Sequence, residues 1–291
     1  MAGGGETVTC PLCGGRDVRP LYDIDGHHWM CCRGCTLRFL HPQPDEQSLR
    51  AIYDADYYAP WRQGAGDDEL ETMKRCTFGR YLRLVARYRG RSGGKLLDVG
   101  CAMGAMLAAA SAAGYEPHGV EVNAAAAEAA RRHAADVRCG ELAAAGFADA
   151  AFDVVTMTDV LEHVREPLAT LAEVRRVLVP DGVLLITTPD AGCLGARLLG
   201  RHWPHNKLEH LFGFDRRTLR RSLEQAGLEV LAVRPATKCL TPVYFGHVLS
   251  RYSPSRLGRL GGRVCAAVGR LWNPRVFMPT GELLAVARRA T

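Results

Sequence analysis

The sequence predicts an α/β fold: a doubly wound, mostly parallel sheet of seven strands behind a small cysteine-rich N-terminal segment. Three observations predict it. A short apolar run, Lys95–Val99, carries Asp98 near its end, is followed by glycines at 100 and 104, and leads into an alanine-rich stretch. A second run, Pro117–Glu121, ends in an acid. Beyond it, strand-like and helix-like stretches alternate, which requires crossover helices on both faces of a parallel sheet.

The cysteine-rich segment comes first. Cys10-Pro-Leu-Cys13 and Cys32-Arg-Gly-Cys35 are two Cys-x-x-Cys turns with 18 residues between them. Each tight bend puts two thiolates on one side, and two bends complete a tetrahedron, the pattern of a structural zinc site. Such a closed shell leaves no open position for chemistry and folds a segment too small to fold alone. Cys31 is an alternative to Cys32, but Cys32 restores the two-residue spacing. Leu21–Gly26 reads as a hairpin strand and turn. Phe39–Pro44, with Tyr53, Tyr57 and Tyr58 after it, reads as an extended exit from a zinc ribbon spanning residues 1–45. Residues 46–92 form a connecting helical region, with a helix from Leu70 to Tyr88 presenting Met73, Phe78, Tyr81, Leu82, Val85 and Tyr88 on one side.

Residues 93–291 form the main domain. Lys95–Val99 is its first strand, Met103–Ala113 a helix closed by Gly114, Pro117–Glu121 the second strand and Ala124–His133 the second helix. Val137–Cys139 is a short third strand, and Phe152–Met157 a fourth, apolar enough for a buried parallel strand. A helix over Leu168–Leu178 stops at Pro180-Asp181-Gly182, and Val183–Thr187 is the fifth strand. Asp215 caps a helix that runs to Ala226 and ends at Gly227. Glu229–Arg234 and Leu283–Ala287 supply the last two strands, with a basic insertion over about residues 240–278 between them.

Composition narrows the class. The chain has 291 residues, 47% of them apolar, enough for one large domain and a small one. It has no run of ~18 apolar residues to span a membrane. Met1–Thr9 lacks an apolar signal region, and eleven cysteines then suggest a reducing, cytoplasmic setting. The net charge of +6 is uneven: residues 1–190 carry −6 (20 basic, 26 acidic) and residues 191–291 carry +12 (17 basic, 5 acidic). From Val230 to Gly281 there are eight basic residues and no acid, which favours an anionic partner or else a well-solvated surface.

The motifs now resemble one family. Asp98-Val-Gly100-Cys-Ala102-Met-Gly104 is similar to motif I of class I S-adenosylmethionine-dependent methyltransferases, with Ala102 in place of the middle glycine. Phe152-Asp153-Val154-Val155, Asp159-Val160-Leu161-Glu162-His163-Val164, Leu178-x-Pro180-x-Gly182 and His210-Leu211-Phe212-Gly213-Phe214 resemble the later motifs in order. The resemblance implies a Rossmann-like methyltransferase fold with S-adenosylmethionine as donor. Gly100, Ala102 and Gly104 would meet the methionine part, with Asp98 beside them. Glu121 would take the ribose hydroxyls, Glu141 would lie at the adenine, and Thr158 would line the donor site. A zinc ribbon ahead of such a domain resembles enzymes of sugar, cell-surface glycan and natural-product pathways.

Methyl transfer from a sulfonium is mainly a positioning problem. A neutral hydroxyl acceptor also needs its proton removed, which suits a histidine near its ordinary pKa. His163 and His210 are the candidates. A loop-capping role is the alternative for His163, and packing is the alternative for His210. Trp203 either lines the acceptor pocket or packs the segment that closes it. The expected reaction is O-methylation of a small, anionic or phosphate-bearing molecule. An RNA base methyltransferase is the first rival, but Thr158-Asp159-Val160-Leu161 stands where base-amine enzymes carry Asn/Asp-Pro-Pro-aromatic, and the ribbon is not basic. A non-catalytic donor-binding protein is the second rival. Finally, Arg256, Arg259, Arg263 and Arg270 share one face of Pro254–Trp272 at helical spacing, beside Leu257, Leu260, Val264, Val268, Leu271 and Trp272. That suits an interfacial helix at the inner face of a membrane, or a lid or dimerisation helix. Gly258, Gly261, Gly262 and Gly269 weaken its helical propensity.

Overall fold

A computed structural model describes residues 8–52, 67–134, 136–252 and 255–290. Tyr53, Tyr57, Tyr58 and Pro254 lie outside the described residues, as does the side chain of Arg270. Three strands open the chain, β1 (Val18–Ile24), β2 (His27–Cys32) and β3 (Arg38–His41), followed by α1 (Glu46–Ile52) and α2 (Asp67–Arg89). Then come β4 (Gly94–Val99), α3 (Ala105–Ala112), β5 (Tyr115–Glu121), α4 (Ala124–Ala130), β6 (Asp136–Cys139) and β7 (Phe152–Thr158). The second half holds α5 (Pro167–Val177), β8 (Leu178–Pro189), α6 (Leu194–Leu199), β9 (Phe212–Gly213), α7 (Arg216–Gln225) and β10 (Leu228–Leu240). It closes with α8 (Pro242–Tyr252), α9 (Arg256–Leu271) and β11 (Val276–Arg289).

The large sheet has seven strands in the order β10-β11-β8-β7-β4-β5-β6. β4 pairs in parallel with β5 and β7, β5 with β6, and β7 with β8; β11 runs antiparallel to both β8 and β10. The doubly wound, mostly parallel sheet expected from the sequence is therefore present. The core explains why. Val154, Val155 and Met157 of β7 are fully buried, and so are Leu184, Leu185 and Ile186 of β8. Strands covered on both faces read as unbroken apolar runs. Tyr81, Leu82 and Val85 of α2 pack on Leu96, Met106 and Leu284, so this helix belongs to the layer that covers the sheet.

Boundaries differ from expectation where the backbone does something local. Helix α3 starts at Ala105, because Met103 lies in the turn and Gly104 takes φ +87° ahead of it. α4 stops at Ala130, short of His133. β8 starts at Leu178; Pro180-Asp181-Gly182 is an irregularity inside the strand, with Asp181 at φ +59° and the register to β7 shifting there. β10 and β11 run well past the expected strands, and Thr237–Leu240 pairs with Val276–Pro279 to carry the α8–α9 hairpin at its end. The Asp215 cap is a full capping box with Thr218.

The N-terminal strands do not stand apart. They form a second sheet in the order β1-β2-β3-β9, in which Phe39 pairs with Phe212 and Leu40 N–H donates to Leu211 O at 2.9 Å. Thr36 Oγ1 donates to Asp215 at 2.6 Å, joining the ribbon to the start of α7. Trp29, Leu37 and Leu40 share one apolar cluster with Leu161, Leu211 and Phe214.

Candidate active site

The turn after β4 is built by close approaches. Gly100 sits at φ +71°, and a Cβ there would come within 2.5 Å of Val160 Cγ2. Gly104 at φ +87° lies over α4, where a Cβ would meet Ala130 Cα at 3.1 Å. Only glycine fits these two places without rearrangement. Ala102 is left-handed as well, at φ +46°, a conformation costing an L-residue roughly 1–2 kcal/mol. What holds it is Glu121: Ala102 N–H donates to one carboxylate oxygen and Asn123 N–H to the other, both at 2.9 Å. Glu121 is buried at the end of β5. Each carboxylate oxygen can accept two hydrogen bonds, so the group that fixes the loop can also accept from a diol.

Asp98 is buried beneath the turn and accepts a 2.6 Å hydrogen bond from Thr156 Oγ1. Burial pushes its carboxyl up to about 7; the Glu121 charge adds to the rise and the Thr156 bond opposes it. A cation beside it would restore its charge.

One cavity joins this turn to the second group of expected residues. Asp98, Gly100, Ala102, Glu121, Glu141 and Thr158 line one part of it, and Asp159, His163, His205, His210 and Lys238 line another. Glu141 is exposed at the end of β6. Gly104 does not line the cavity; its place is the contact with α4. Trp203 does not line it either, and packs with Ala191 and Ala196 instead.

The two histidines meet because two Leu-Glu-His tripeptides dock side by side. Leu211 N–H and Phe212 N–H donate to Glu162 O at 2.7 and 3.1 Å, and His163 Nδ1 bonds Glu209 O at 2.9 Å. The His163 and His210 rings are edge to face at 4.6 Å, and His205 stacks on His210 at 5.8 Å. Burial lowers His163 and His205 to about 4 and His210 well below the ordinary histidine range. All three are neutral at pH 7, so titration near the ordinary histidine pKa, expected from sequence, does not hold.

Glu162 is buried with them. Its Oε2 accepts from Thr188 Oγ1 at 2.9 Å, while Oε1 has no partner among the described residues and lies 4.0 Å from His163 Nε2. Burial, with Asp159 and Glu282 nearby, holds its carboxyl well above the carboxylate range. Ligand atoms of Glu162, His163 and His210 lie within 4.8 Å of one another, close enough to hold a divalent cation after small side-chain shifts.

Sequence reasoning missed the neighbouring charge cluster. Lys238 Nζ donates to Asp159 and Glu282, each at 2.8 Å, and Thr187 Oγ1 donates to Asp159 at 2.9 Å. Burial opposes charge on Asp159, yet Lys238 outweighs it and holds that carboxyl below its usual range. Burial and Asp159 push Glu282 up to about 7. Among the described basic residues from Val230 to Gly281, Lys238 alone lines the cavity, and it is already paired. Arg256, Arg259 and Arg263 of the same acid-free segment lie on α9.

At the ribbon, Cys10, Cys13, Cys32 and Cys35 come together, with all four sulfurs within 4.8 Å of one another and the pairs Cys10–Cys35 and Cys13–Cys32 at 3.5 Å. A tetrahedral zinc–thiolate centre, with zinc–sulfur bonds of ~2.3 Å, places its sulfurs about 3.8 Å apart, so the four fit the ion. The two knuckles match: Gly14 N–H donates to Cys10 O and Thr36 N–H to Cys32 O, with φ +67° and +74° at these donors. Cys31 Sγ turns away to the carbonyls of Cys32 and Thr36.

The family model described as a methyltransferase domain matches residues 73–233, more than half of the chain. The chain belongs to the methyltransferase-domain family. Curated relatives include the ubiquinone biosynthesis O-methyltransferases of Haemophilus ducreyi, 32% identical over 38% of this chain and 51% of that protein, and of Thiobacillus denitrificans, 29% identical over 56% and 77%. The chain spans about half the length of the first of these relatives. Among solved structures, magnesium protoporphyrin IX methyltransferase from Synechocystis with bound SAH is 15% identical, with a TM-score of 0.55 over 84% of this chain and all of that one. A SAM-dependent methyltransferase from Thermotoga maritima is 15% identical with a TM-score of 0.54, over 82% and 99%. These likenesses show the fold. The matched segment covers the turn, Glu121 and both histidines, but neither the ribbon nor the α8–α9 hairpin.

Proposed function

We propose that this methyltransferase moves the methyl group of S-adenosylmethionine to a hydroxyl of a small molecule, and that His210 receives the hydroxyl proton. The observation that carries the reading is that the glycine turn, Glu121, His163, His205 and His210 line one and the same cavity. Gly100, Ala102 and Asp98 would hold the methionine part, Glu121 the ribose, with Glu141 and Thr158 at the edges of the same site. A new oxygen–carbon bond forms as the sulfonium–carbon bond breaks. S-adenosylhomocysteine leaves, and the acceptor proton passes to His210 and then to water. The O-methyltransferase names of the curated relatives support a hydroxyl acceptor. A sugar, glycan precursor or natural product carrying phosphate is the finer form of the proposal. Its cation would be Lys74, which lines the cavity with its pKa lowered by burial and by Lys238, a state an acceptor anion would relieve. Turnover with a panel of sugar nucleotides and phenols tests this: a methyl found on oxygen supports it, and one found on nitrogen or carbon overturns the hydroxyl assignment.

A second reading rests on Glu162 Oε1. Buried with no hydrogen-bond partner among the described residues and beside two imidazoles, it completes a set that would hold a divalent cation, and such a cation would polarise the acceptor oxygen. Titration of purified protein with manganese, followed by its relaxation signal, separates the two: no binding leaves His210 as the base. In the ribbon, the four cysteines would hold one structural zinc.

A further inference from the structure

We propose that the outward face of α9 docks this protein on an anionic bilayer surface. The helix has three faces. Gly262, Ala266 and Gly269 turn inward against α8, so closely that a Cβ at Gly262 would lie 2.5 Å from Ser250 Oγ and one at Gly269 2.8 Å from Val243. Gly246 of α8 answers them, with a Cβ there 2.5 Å from Ala266 N. The glycines that weaken the helix by propensity are thus what lets two backbones pack into a hairpin. Turned away from that contact is an apolar stripe: Leu257, Leu260, Val264, Val268 and Leu271, with Trp272 at the end. Leu257 is 82% exposed, Leu271 91% and Trp272 73%, so among the described residues nothing covers the stripe. Arg256, Arg259 and Arg263 run along one flank. An apolar stripe edged by arginine and closed by an indole is the pattern of a helix lying in a lipid interface.

Charge selects the occupant. No acid occurs from Val230 to Gly281. A second copy on this face would bring arginine rows together with no carboxylate of that segment between them. An anionic headgroup layer neutralises them while the stripe enters the acyl boundary. No helix of the described residues is long and apolar enough to cross a membrane, so the mode is docking on the surface. The hairpin also walls the cavity: Tyr244, Phe245 and Val248 of α8 line it together with His210. Docking by the outward face of α9 would set that helix between the lipid and this wall. The proposal does not depend on which acceptor is methylated.

The test is sedimentation of the full chain with vesicles of phosphatidylcholine alone or mixed equally with phosphatidylglycerol. Binding to the mixed vesicles only, weakening with salt, is expected. At about 1 kcal/mol per arginine near such a surface, R256Q/R259Q/R263Q binds about 100-fold more weakly, and L260S/V264S/V268S at least tenfold more weakly. Both variants keep their affinity for S-adenosylhomocysteine. If a variant misfolds, hydrogen exchange on the unmodified protein decides: slowing over residues 257–272 with mixed vesicles supports the proposal. No binding, equal binding to both vesicles, unslowed exchange, or a dimer dispersed by L260S/V264S/V268S without vesicle binding overturns it.

Discussion

His210 draws its chemical character from its neighbours. Burial among His163, His205 and Lys207 favours the neutral ring, which can accept a proton but carries none beforehand. H210A should lower turnover roughly 10²–10⁴-fold with donor affinity unchanged. The wild-type rate should hold as pH falls through 6.5 and drop only at more acid pH; a fall near 6.5 would show that His210 is not so buried when substrate is bound. Asp98 gives the opposite sign. Its folded pKa of about 7 exceeds its ordinary 3.8, so the folded state binds the extra proton between these values. Stability without donor therefore falls as pH rises from about 4 to 7. D98N should melt higher than wild type at pH 8 and show no such gain at pH 4, while binding the sulfonium donor more weakly. Equal donor affinity in D98N would remove Asp98 from the site. Asp98, Gly100 and Glu121 were legible because strand, turn and strand follow each other within one local unit. The cluster of Lys238, Asp159 and Glu282 was not, because Lys238 lies 79 residues from Asp159 and 44 from Glu282, and they meet only through the pairing of β10 with β11 and of β11 with β8. Trp203 illustrates the limit of reading by position alone: an aromatic in the closing segment was as apt to pack as to line the pocket.

Among the elements, the β3–β9 pairing matters most. β9 begins two residues after His210, and Phe212 N–H also holds Glu162 O. The cysteine knuckles thus brace, through β3, the strand that sets His210. With the proposed zinc in place, its chelation, or C13S, should loosen this strand and lower turnover about tenfold or more while donor affinity stays the same. Metal analysis should give close to one zinc per chain, lost in C13S; a metal-free chain with full activity would refute the zinc. The cysteine pattern announced the site, since paired thiols at two-residue spacing are a local signal. Its docking partner was illegible, because a two-residue strand far along the chain leaves no periodicity. The overlong β10 and β11 escaped notice for a related reason: Lys238 breaks the apolar run, and its charge is satisfied only by residues far away.

At the scale of the molecule, the parallel sheet with its glycine turn, the histidine segment and α8 line one cavity, while the ribbon pairs with β9 behind the histidine segment. Alternating apolar runs made the doubly wound sheet legible; its strand order and the docking of the ribbon and hairpin depended on tertiary contacts. K74M should raise KM for an anionic acceptor about tenfold and leave kcat nearly unchanged; no change would place the acceptor's charge elsewhere or deny it one. The central claim is that the turn and Glu121 form the donor site of an S-adenosylmethionine-dependent enzyme. Calorimetric titration of S-adenosylmethionine into wild type and E121A measures it directly. One equivalent should bind wild type, and E121A should bind about 100-fold more weakly, since two charge-assisted hydrogen bonds to the ribose are lost. No heat with wild type, or equal affinity in E121A, would contradict the account.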